Sequence, residues 1–362
     1  MVLWIKKWVL VCLLVTTAQA NDPSESRTSL ADIELTHILA LQDRLFTKGS
    51  DWNEEQLTLE AQKVLGRYEV FLVTNPTHLF GHILLAKFLQ QVGQKKEAIA
   101  FYLKADALNP NIAVVKQQIG NFLAEQGKPR EAFPFFLLTT RLSPEEPAYH
   151  FELGNFIFIF HDKLSMVDHD ENLQLDQLMH ESFREATRLE PTNFNYALRF
   201  AQSYFDLHEM NPSDALGAWT RLSENFKNRS ILEKDYFRLC QARLLIELER
   251  FGDANKLIHS VHSSSLEQDK HTLLKKASAG SHLKNKNLPK KASQLSTPQK
   301  SNDIRSSILR NFPIDENLQK IKRIAQTLRE EKLLKTFEWD VAKAKFLSNG
   351  EISLELTTRE IP

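Results

Sequence analysis

The sequence predicts an all-α protein in which helix–turn–helix units stack along one direction. Three observations predict it. Between Leu79 and Pro144 one unit occurs twice at an offset of 34 residues: Ala86, Gly93, Ala98, Tyr102 and Pro110 answer to Gly120, Gly127, Ala132, Phe136 and Pro144. The composition is that of a folded helical chain, 42% hydrophobic with only 11 Gly and 13 Pro. The length, 362 residues, exceeds what one small core supports, and a stack escapes that limit by growing in one dimension.

Each matching residue has a physical reason. Ala86 and Ala98, like Gly120 and Ala132, let two antiparallel helices approach closely. Gly93 and Gly127 fall at turns, where a residue without Cβ takes positive φ. Tyr102 and Phe136 are large and face inward from the second helix, and Pro110 and Pro144 end that helix. These residues resemble the tetratricopeptide repeat, a helix–turn–helix family. The resemblance covers residues 79–261 and implies a right-handed superhelix of stacked repeats, with the first helix of each lining a concave groove. It implies protein binding and no chemistry of its own.

In chain order, residues 1–20 read as a secretory leader: Lys6 and Lys7, an apolar run from Trp8 to Val15, then Ala18-Gln19-Ala20 before Asn21. The alternative is an uncleaved anchor. With the leader removed only Cys240 remains, which excludes an internal disulfide and fits export to a bacterial periplasm or cell envelope. Residues 21–78 are expected to hold a degenerate capping repeat. Its first helix runs over Leu30–Phe46, with Ile33, Leu35, Ile38, Leu39, Leu41 and Leu45 as its apolar stripe, and its second over Asn53–Val73.

The two clear repeats follow. A third begins at Pro147, where Leu153-Gly154 matches Ile119-Gly120, but Pro191 arrives late, so an insertion is expected at about 160–172 between its helices. Met179 stands where the family has a small residue, and Ala186 restores the pattern. A fourth repeat carries Ala201, Tyr204, Ala215 and Trp219, and a fifth carries Ala242, Leu245, Phe251 and Ala254.

Residues 262–313 are expected to be a Ser- and Lys-rich linker, with one further helix possible over Leu266–Ala279. In residues 314–362 Asp315 caps a helix carrying Leu318, Ile321, Ala325 and Leu328. Alternation through Phe337, Trp339 and Val341, then Asn349-Gly350, then Ile352, Leu354 and Leu356 predicts a β-hairpin. A lone hairpin is marginal in water and should dock on the helix or on a partner.

The family register places Lys87, Asn121 and Asn155 at one groove position, with Gln202 taking it after the insertion, and Gln117 and Phe151 one turn away. Amide side chains offer donor and acceptor together, which suits the backbone of an extended peptide; their alternative role is to bond neighbouring helices. The family's best-defined ligand site grips a C-terminal carboxylate with Lys and Asn. Ile83 and Gln117 stand where its first Lys would be, so carboxylate clamping is not expected.

Elsewhere the signals are weaker. His161, Asp162, Asp168, His169, Asp170 and Glu171 are dense enough to suggest a divalent metal, and Asp168, Asp170 and Asn172 echo a calcium loop. Leu173 and Met179 break that loop, so a solvated acidic loop is the preferred reading and no cofactor is expected. The chain is neutral overall, with 46 basic and 46 acidic residues, but residues 270–305 hold nine Lys or Arg and one acid. That run offers weak contact with an anionic polymer or membrane surface, or stays solvated; nucleic acid is not expected, since no aromatics interleave.

No catalytic constellation or phosphate loop is present in the sequence. The expected function is a non-enzymatic scaffold that binds a peptide segment of another protein. The alternative is an envelope structural or adaptor protein acting through the basic linker.

Overall fold

The computed structural model describes residues 29–165, 169–284 and 339–358, and the helical residues Glu316, Gln319 and Arg323. Described side chains exclude those of residues 169–171, 281–284 and 358. The expected leader, the rest of the expected basic linker and the tail positions Asp315, Leu318, Ile321, Ala325, Leu328 and Phe337 lie outside them. The chain divides into two compact units. One joins the residues up to Gln94 to those from Phe337 onward, and the other spans Lys95–Thr336.

In the first unit, helix α1 (Leu30–Lys48) opens with a capping box in which Asp32 N–H donates to Ser29 Oγ at 3.1 Å and Asp32 Oδ2 accepts from Ser29 N–H at 3.2 Å. Helix α2 (Glu54–Thr74) is capped by Asn53, whose side chain accepts from Gln56 N–H at 2.8 Å. Helix α3 (Leu79–Gln91) follows. Leu35, Ile38 and Leu45 are buried as the stripe predicts, but Ile33 is 43% exposed. Tyr68 stacks on Phe88 at 6.0 Å and donates to Gln42 Oε1 at 2.7 Å, which lets a buried phenol keep a partner.

The predicted hairpin is present, as strands β1 (Trp339–Phe346) and β2 (Ile352–Thr358) in antiparallel register, with Gly350 at φ +82° in the turn. A register shift between Val341 and Lys343 changes the phase of β1. Val341 and Ala344 therefore face inward with Ile352 and Leu354, where strict alternation would have buried Lys343.

The hairpin docks on the N-terminal helices. Thr58 Oγ1 accepts from Ala344 N–H at 2.9 Å, Gln62 Oε1 accepts from Val341 N–H, and Lys343 pairs with Glu54 at 2.7 Å; these α2 residues are one turn apart on one face. On the other edge Leu354 N–H donates to Val92 O at 3.1 Å and Leu354 O accepts from Gln94 Nε2. Both strand edges thus find partners within this unit, which answers the instability of an isolated hairpin.

The second unit runs α4 (Lys95–Leu108), α5 (Ala113–Glu125), α6 (Pro129–Leu142), α7 (Pro147–Leu164), α8 (His169–Leu189), α9 (Phe194–Ser203), α10 (Pro212–Asn225), α11 (Ile231–Glu247), α12 (Phe251–His259) and α13 (Glu267–Lys284). The small residues work as the sequence implies. A Cβ on Gly120 would lie 3.1 Å from the Phe136 ring, and one on Gly154 would lie 2.7 Å from the Phe183 ring. The turns repeat as well: Gly127, at φ +73°, donates to Ala124 O, and Lys128 N–H reaches back to Leu123 O. Glu249 makes the same turn at φ +57° without being glycine.

A second 34-residue rhythm runs through buried polar residues. His82, Lys116 and His150 are all buried. In the first unit His82 Nε2 shares a 2.8 Å hydrogen bond with Pro76 O, and in the second His150 Nε2 does the same with Pro144 O. Each imidazole pins the connection six residues before it. Lys116, wholly buried, pairs instead with Asp106 at 2.6 Å.

The described residues of the insertion are helical except for Ser165. The insertion lengthens both helices of the third repeat, to 18 residues in α7 and 21 in α8, against 13 in α5 and 14 in α6. The added turns begin at Phe160, whose φ of −107° and ψ of 17° interrupt α7. Arg130 closes the extended end, donating at 2.9 Å to both Lys163 O and Ser165 O.

The supposed linker also begins as structure. Leu273 and Ala277 of α13 are buried, and Gly280 lies so close to Phe251 that a Cβ would meet the ring at 2.4 Å. Buried Asp235 of α11 ties the turn leading there, accepting from His262 N–H and Ser263 N–H at 2.9 Å, Ser263 Oγ at 2.7 Å and Arg238 at 2.7 Å. Burial raises its pKa, but these hydrogen bonds outweigh that and hold it at about 2.

Candidate functional site: an amide row and an adjoining cavity

In the second unit the row positions sit on α5, α7 and α9, the first helices of three successive repeats, while Lys87 lies on α3 of the first unit. Asn121 and Asn155 are half-buried, and neither makes a hydrogen bond among the described residues. Gln117, one turn before Asn121 and only 6% exposed, has a buried Oε1 without a hydrogen-bond partner among the described residues. Such an acceptor is costly unless a donor reaches it. Gln202 Nε2 donates to Tyr236 Oη at 3.4 Å across an interval of 34 residues, so these two positions come within a single hydrogen bond of each other.

Tyr236, on α11, is therefore a further member of the row. Burial raises its phenol, which stays protonated and able to donate at neutral pH. Its +34 spacing from Gln202 is the signal in the sequence, hidden when the row is followed through amides alone. Phe151 serves packing instead. Its ring lies 4.7 Å from Tyr196 and 5.7 Å from Phe183, which holds α7 against α8 and α9.

One turn beyond the row, Phe158, His161, Asp176, Met179, Asp206, Leu207 and His208 line a cavity of about 500 Å³. Asp176 Oδ1 lies 2.7 Å from His161 Nε2, and its Oδ2 accepts from His208 N–H at 3.3 Å. Asp206 Oδ2 accepts from Arg199 at 2.7 Å, and the Arg199 guanidinium lies 4.2 Å from Phe158 and 4.4 Å from Phe183 ring centroids. Asp176 is not legible in the sequence, because nothing in a helical pattern pairs it with a histidine 15 residues earlier.

Ser165 Oγ, His161 and Asp176 form a chain that looks like a nucleophile relay, with Ser165 Oγ 3.3 Å from His161 Nδ1. Yet the hydroxyl donates to His161 O at 2.8 Å, so its proton caps the end of α7. Of the acidic cluster, Asp162 is exposed on the helical extension, Asp168 lies outside the described residues, and His169–Glu171 fall in α8. Among the described residues no group of three or more His, Cys, Asp or Glu is placed to hold a metal.

Cys240 is buried, and burial pushes its thiol up to about 12, which makes it an inert core group. In the basic run, Lys270 donates to Val261 O at 3.0 Å while Lys275 and Lys276 are exposed.

No family model matches the sequence, and no curated protein matches it. The chain is mostly helical, with stacked helix pairs resembling tetratricopeptide proteins and a C-terminal two-strand hairpin. Among solved structures it is similar to YrrB, described as a tetratricopeptide protein with an unusual peptide-binding site: 15% identity, 60% of this chain, 97% of that one and a TM-score of 0.42. It is also similar to PilF of Pseudomonas aeruginosa, at 19% identity, 67% of this chain, 99% of that one and a TM-score of 0.40. PilW, a type IV pilus biogenesis factor, matches at 12% identity over 67% of this chain and 99% of that one, with a TM-score of 0.41. These are likenesses to helical repeats and say nothing of what this chain binds.

Proposed function

We propose that the second unit is a non-enzymatic scaffold that binds an extended peptide segment of another protein along Gln117, Asn121, Asn155, Gln202 and Tyr236. The observation that carries this reading is the row itself. Among the described residues two half-buried amide side chains and one buried acceptor lack hydrogen-bond partners, and the Gln202–Tyr236 bond links the row at its far end. An extended peptide presents alternating N–H and C=O groups, which such amides satisfy from either side.

The leader-like pattern of residues 1–20 supports, in the same proposal, export to a bacterial periplasm or cell envelope. The test is affinity capture with the wild-type chain and with Asn121→Ala plus Asn155→Ala. The double variant should lose the partner while keeping its helical circular dichroism; equal recovery would count against the row. Association that weakens on raising salt, vanishes on removing the basic residues of 270–305 that follow α13, and is unchanged in the double variant would favour the basic segment instead.

A further inference from the structure

Each first helix of the second unit presents its row residue together with the residue one turn before it. On α7 the pair is Phe151 and Asn155, on α9 Leu198 and Gln202, and on α11 Leu232 and Tyr236; residues four apart share a helix face. Two lines therefore cross these three repeats, one able to hydrogen-bond and one apolar. Leu232 is 48% exposed, and Phe151 and Leu198 are half-buried. We propose that the bound segment is a polyproline II helix that sets one turn, with one apolar side chain, on each of these repeats. The inference rests on the peptide-binding reading of the row and names the conformation of the peptide.

The spacing of the repeats selects that conformation. Successive first helices touch: the Phe151 ring on α7 lies 4.7 Å from the Tyr196 ring on α9, and Gln202 of α9 donates to Tyr236 of α11. Helices in packing contact lie about 8–10 Å apart. A strand returns a side chain to the same face every two residues, about 6.7 Å, and so slips by roughly 1–3 Å at each repeat. A polyproline II helix returns one every three residues, about 9.3 Å, and stays in register from α7 to α11. An α-helix returns close to the same face after seven residues, about 10.5 Å, which also approaches the spacing.

Hydrogen bonding decides between the last two. An α-helix satisfies its own backbone and would leave the Asn121 and Asn155 amides and the buried Gln117 Oε1 as they are, without partners among the described residues. A polyproline II backbone makes no internal hydrogen bond, so its carbonyls accept from the amide NH2 groups and its non-proline N–H groups donate to the amide oxygens. Charge narrows the sequence. The two lines carry no charged side chain; one position further along each helix, Arg199 pairs with Asp206 and Glu233 with Arg229, while Glu152 is exposed beside Phe151. The surface therefore fits a Pro-containing, apolar segment and disfavours an acidic one.

The test uses the full chain. A random peptide library displayed on phage is selected on the wild type, on Leu232→Ser and on Asn121→Ala plus Asn155→Ala, and each selected peptide is then titrated by fluorescence anisotropy. Wild type should enrich peptides whose apolar residues recur at every third position, with Pro between them. Leu232→Ser changes a half-exposed side chain and should keep its helical circular dichroism. It should bind the same peptides on the order of tenfold more weakly and lose the apolar preference at one end of the period. The row variant should select nothing.

Apolar residues recurring at every second position, or three and four apart without Pro, would overturn the polyproline II conformation and leave the row standing. Peptides of three-residue period that bind Leu232→Ser as tightly as wild type would overturn the apolar line. No peptide selected on the wild type, or equal selection on the row variant, would overturn the row itself.

Discussion

The repeats α5/α6 and α7/α8 stand next to each other in the second unit, share the same signature of small and large residues, and present different chemistry. In the regular repeat every position of the motif serves packing. In the extended repeat the same packing is kept through Gly154 and Phe183, and the added turns of α7 and α8 carry the polar groups that no motif specifies: His161, Asp176 and the cavity walls. Lengthening both helices of a hairpin keeps its register with its neighbours, so the stack tolerates the insertion and gains surface. Function in such an array is expected where the repeat departs from its own rule.

The buried polar position at 34-residue intervals gives the sharpest way to break the comparison. In the regular repeat Lys116→Ala strands the Asp106 charge in the interior, and urea unfolding should show a loss of about 3–5 kcal/mol. Replacing both partners, as Lys116→Met with Asp106→Leu, should restore most of it. In the extended repeat His150→Ala removes a neutral hydrogen bond to Pro144 O and should cost less, about 1–3 kcal/mol. Equal costs at the two positions would mean that the Lys116–Asp106 pair is worth no more than a neutral hydrogen bond.

The extended repeat should also be the acid-sensitive one. His180, on α8, is enclosed by Phe200 and Tyr204, shares a 2.8 Å hydrogen bond with Ser203 Oγ and faces Arg184; burial, then the Arg184 charge, lowers its pKa to about 4. The unfolded chain protonates this group near 6.5, so stability is unaffected above that pH. It falls as pH drops toward 4, by about 3 kcal/mol at the lower limit. Urea midpoints measured from pH 7.5 to 4.5 should decline less in His180→Gln than in wild type. The α5/α6 repeat contains no histidine and contributes no such slope.

Close approach distinguishes the two repeats by a smaller margin. Gly154→Ala places a methyl 2.7–2.9 Å from three atoms of the buried Phe183 ring, whereas Gly120→Ala meets Phe136 and Phe135 at 3.1–3.3 Å. Overpacking of this kind costs about 1–3 kcal/mol, and Gly154→Ala should lie at the upper end with Gly120→Ala at or below the lower. Thermal unfolding of the pair would reveal the order.

These contrasts explain how much was legible in the sequence. Gly120, Ala132, Phe136 and Gly127 were readable because a repeat writes its packing rule at short range, and the same chemistry recurs 34 residues on. The hairpin was legible as a hairpin from Asn349-Gly350 and its alternating flanks. Its docking place was not, since Ala344 meets Thr58 across 286 positions of chain and the bulge after Val341 leaves no mark in composition. Half of the candidate site was visible as an amide row. The cavity was invisible because the Asp176–His161 pair depends on two helices having grown together, which the sequence presented as an acidic loop.

The smallest expected effect concerns the turn that all regular repeats share. Gly127 donates to Ala124 O at 3.0 Å from a left-handed conformation, and Glu249 repeats that bond to Ile246 O, also at 3.0 Å, with a side chain that incurs a steric penalty there. Relieving that penalty by Glu249→Gly stabilises the folded chain by about 1 kcal/mol. The new glycine also loosens the unfolded chain and offsets about 0.5–1 kcal/mol of the gain. The two nearly cancel, and the change in stability should stay within about 0.5 kcal/mol. The reverse substitution carries the same two terms with opposite sign: Gly127→Glu imports a steric penalty of about 1 kcal/mol and regains about 0.5–1 kcal/mol by stiffening the unfolded chain, so its change should also stay within about 0.5 kcal/mol. A Gly127→Glu variant as stable as wild type would show that the left-handed turn, and not its glycine, is what the array requires.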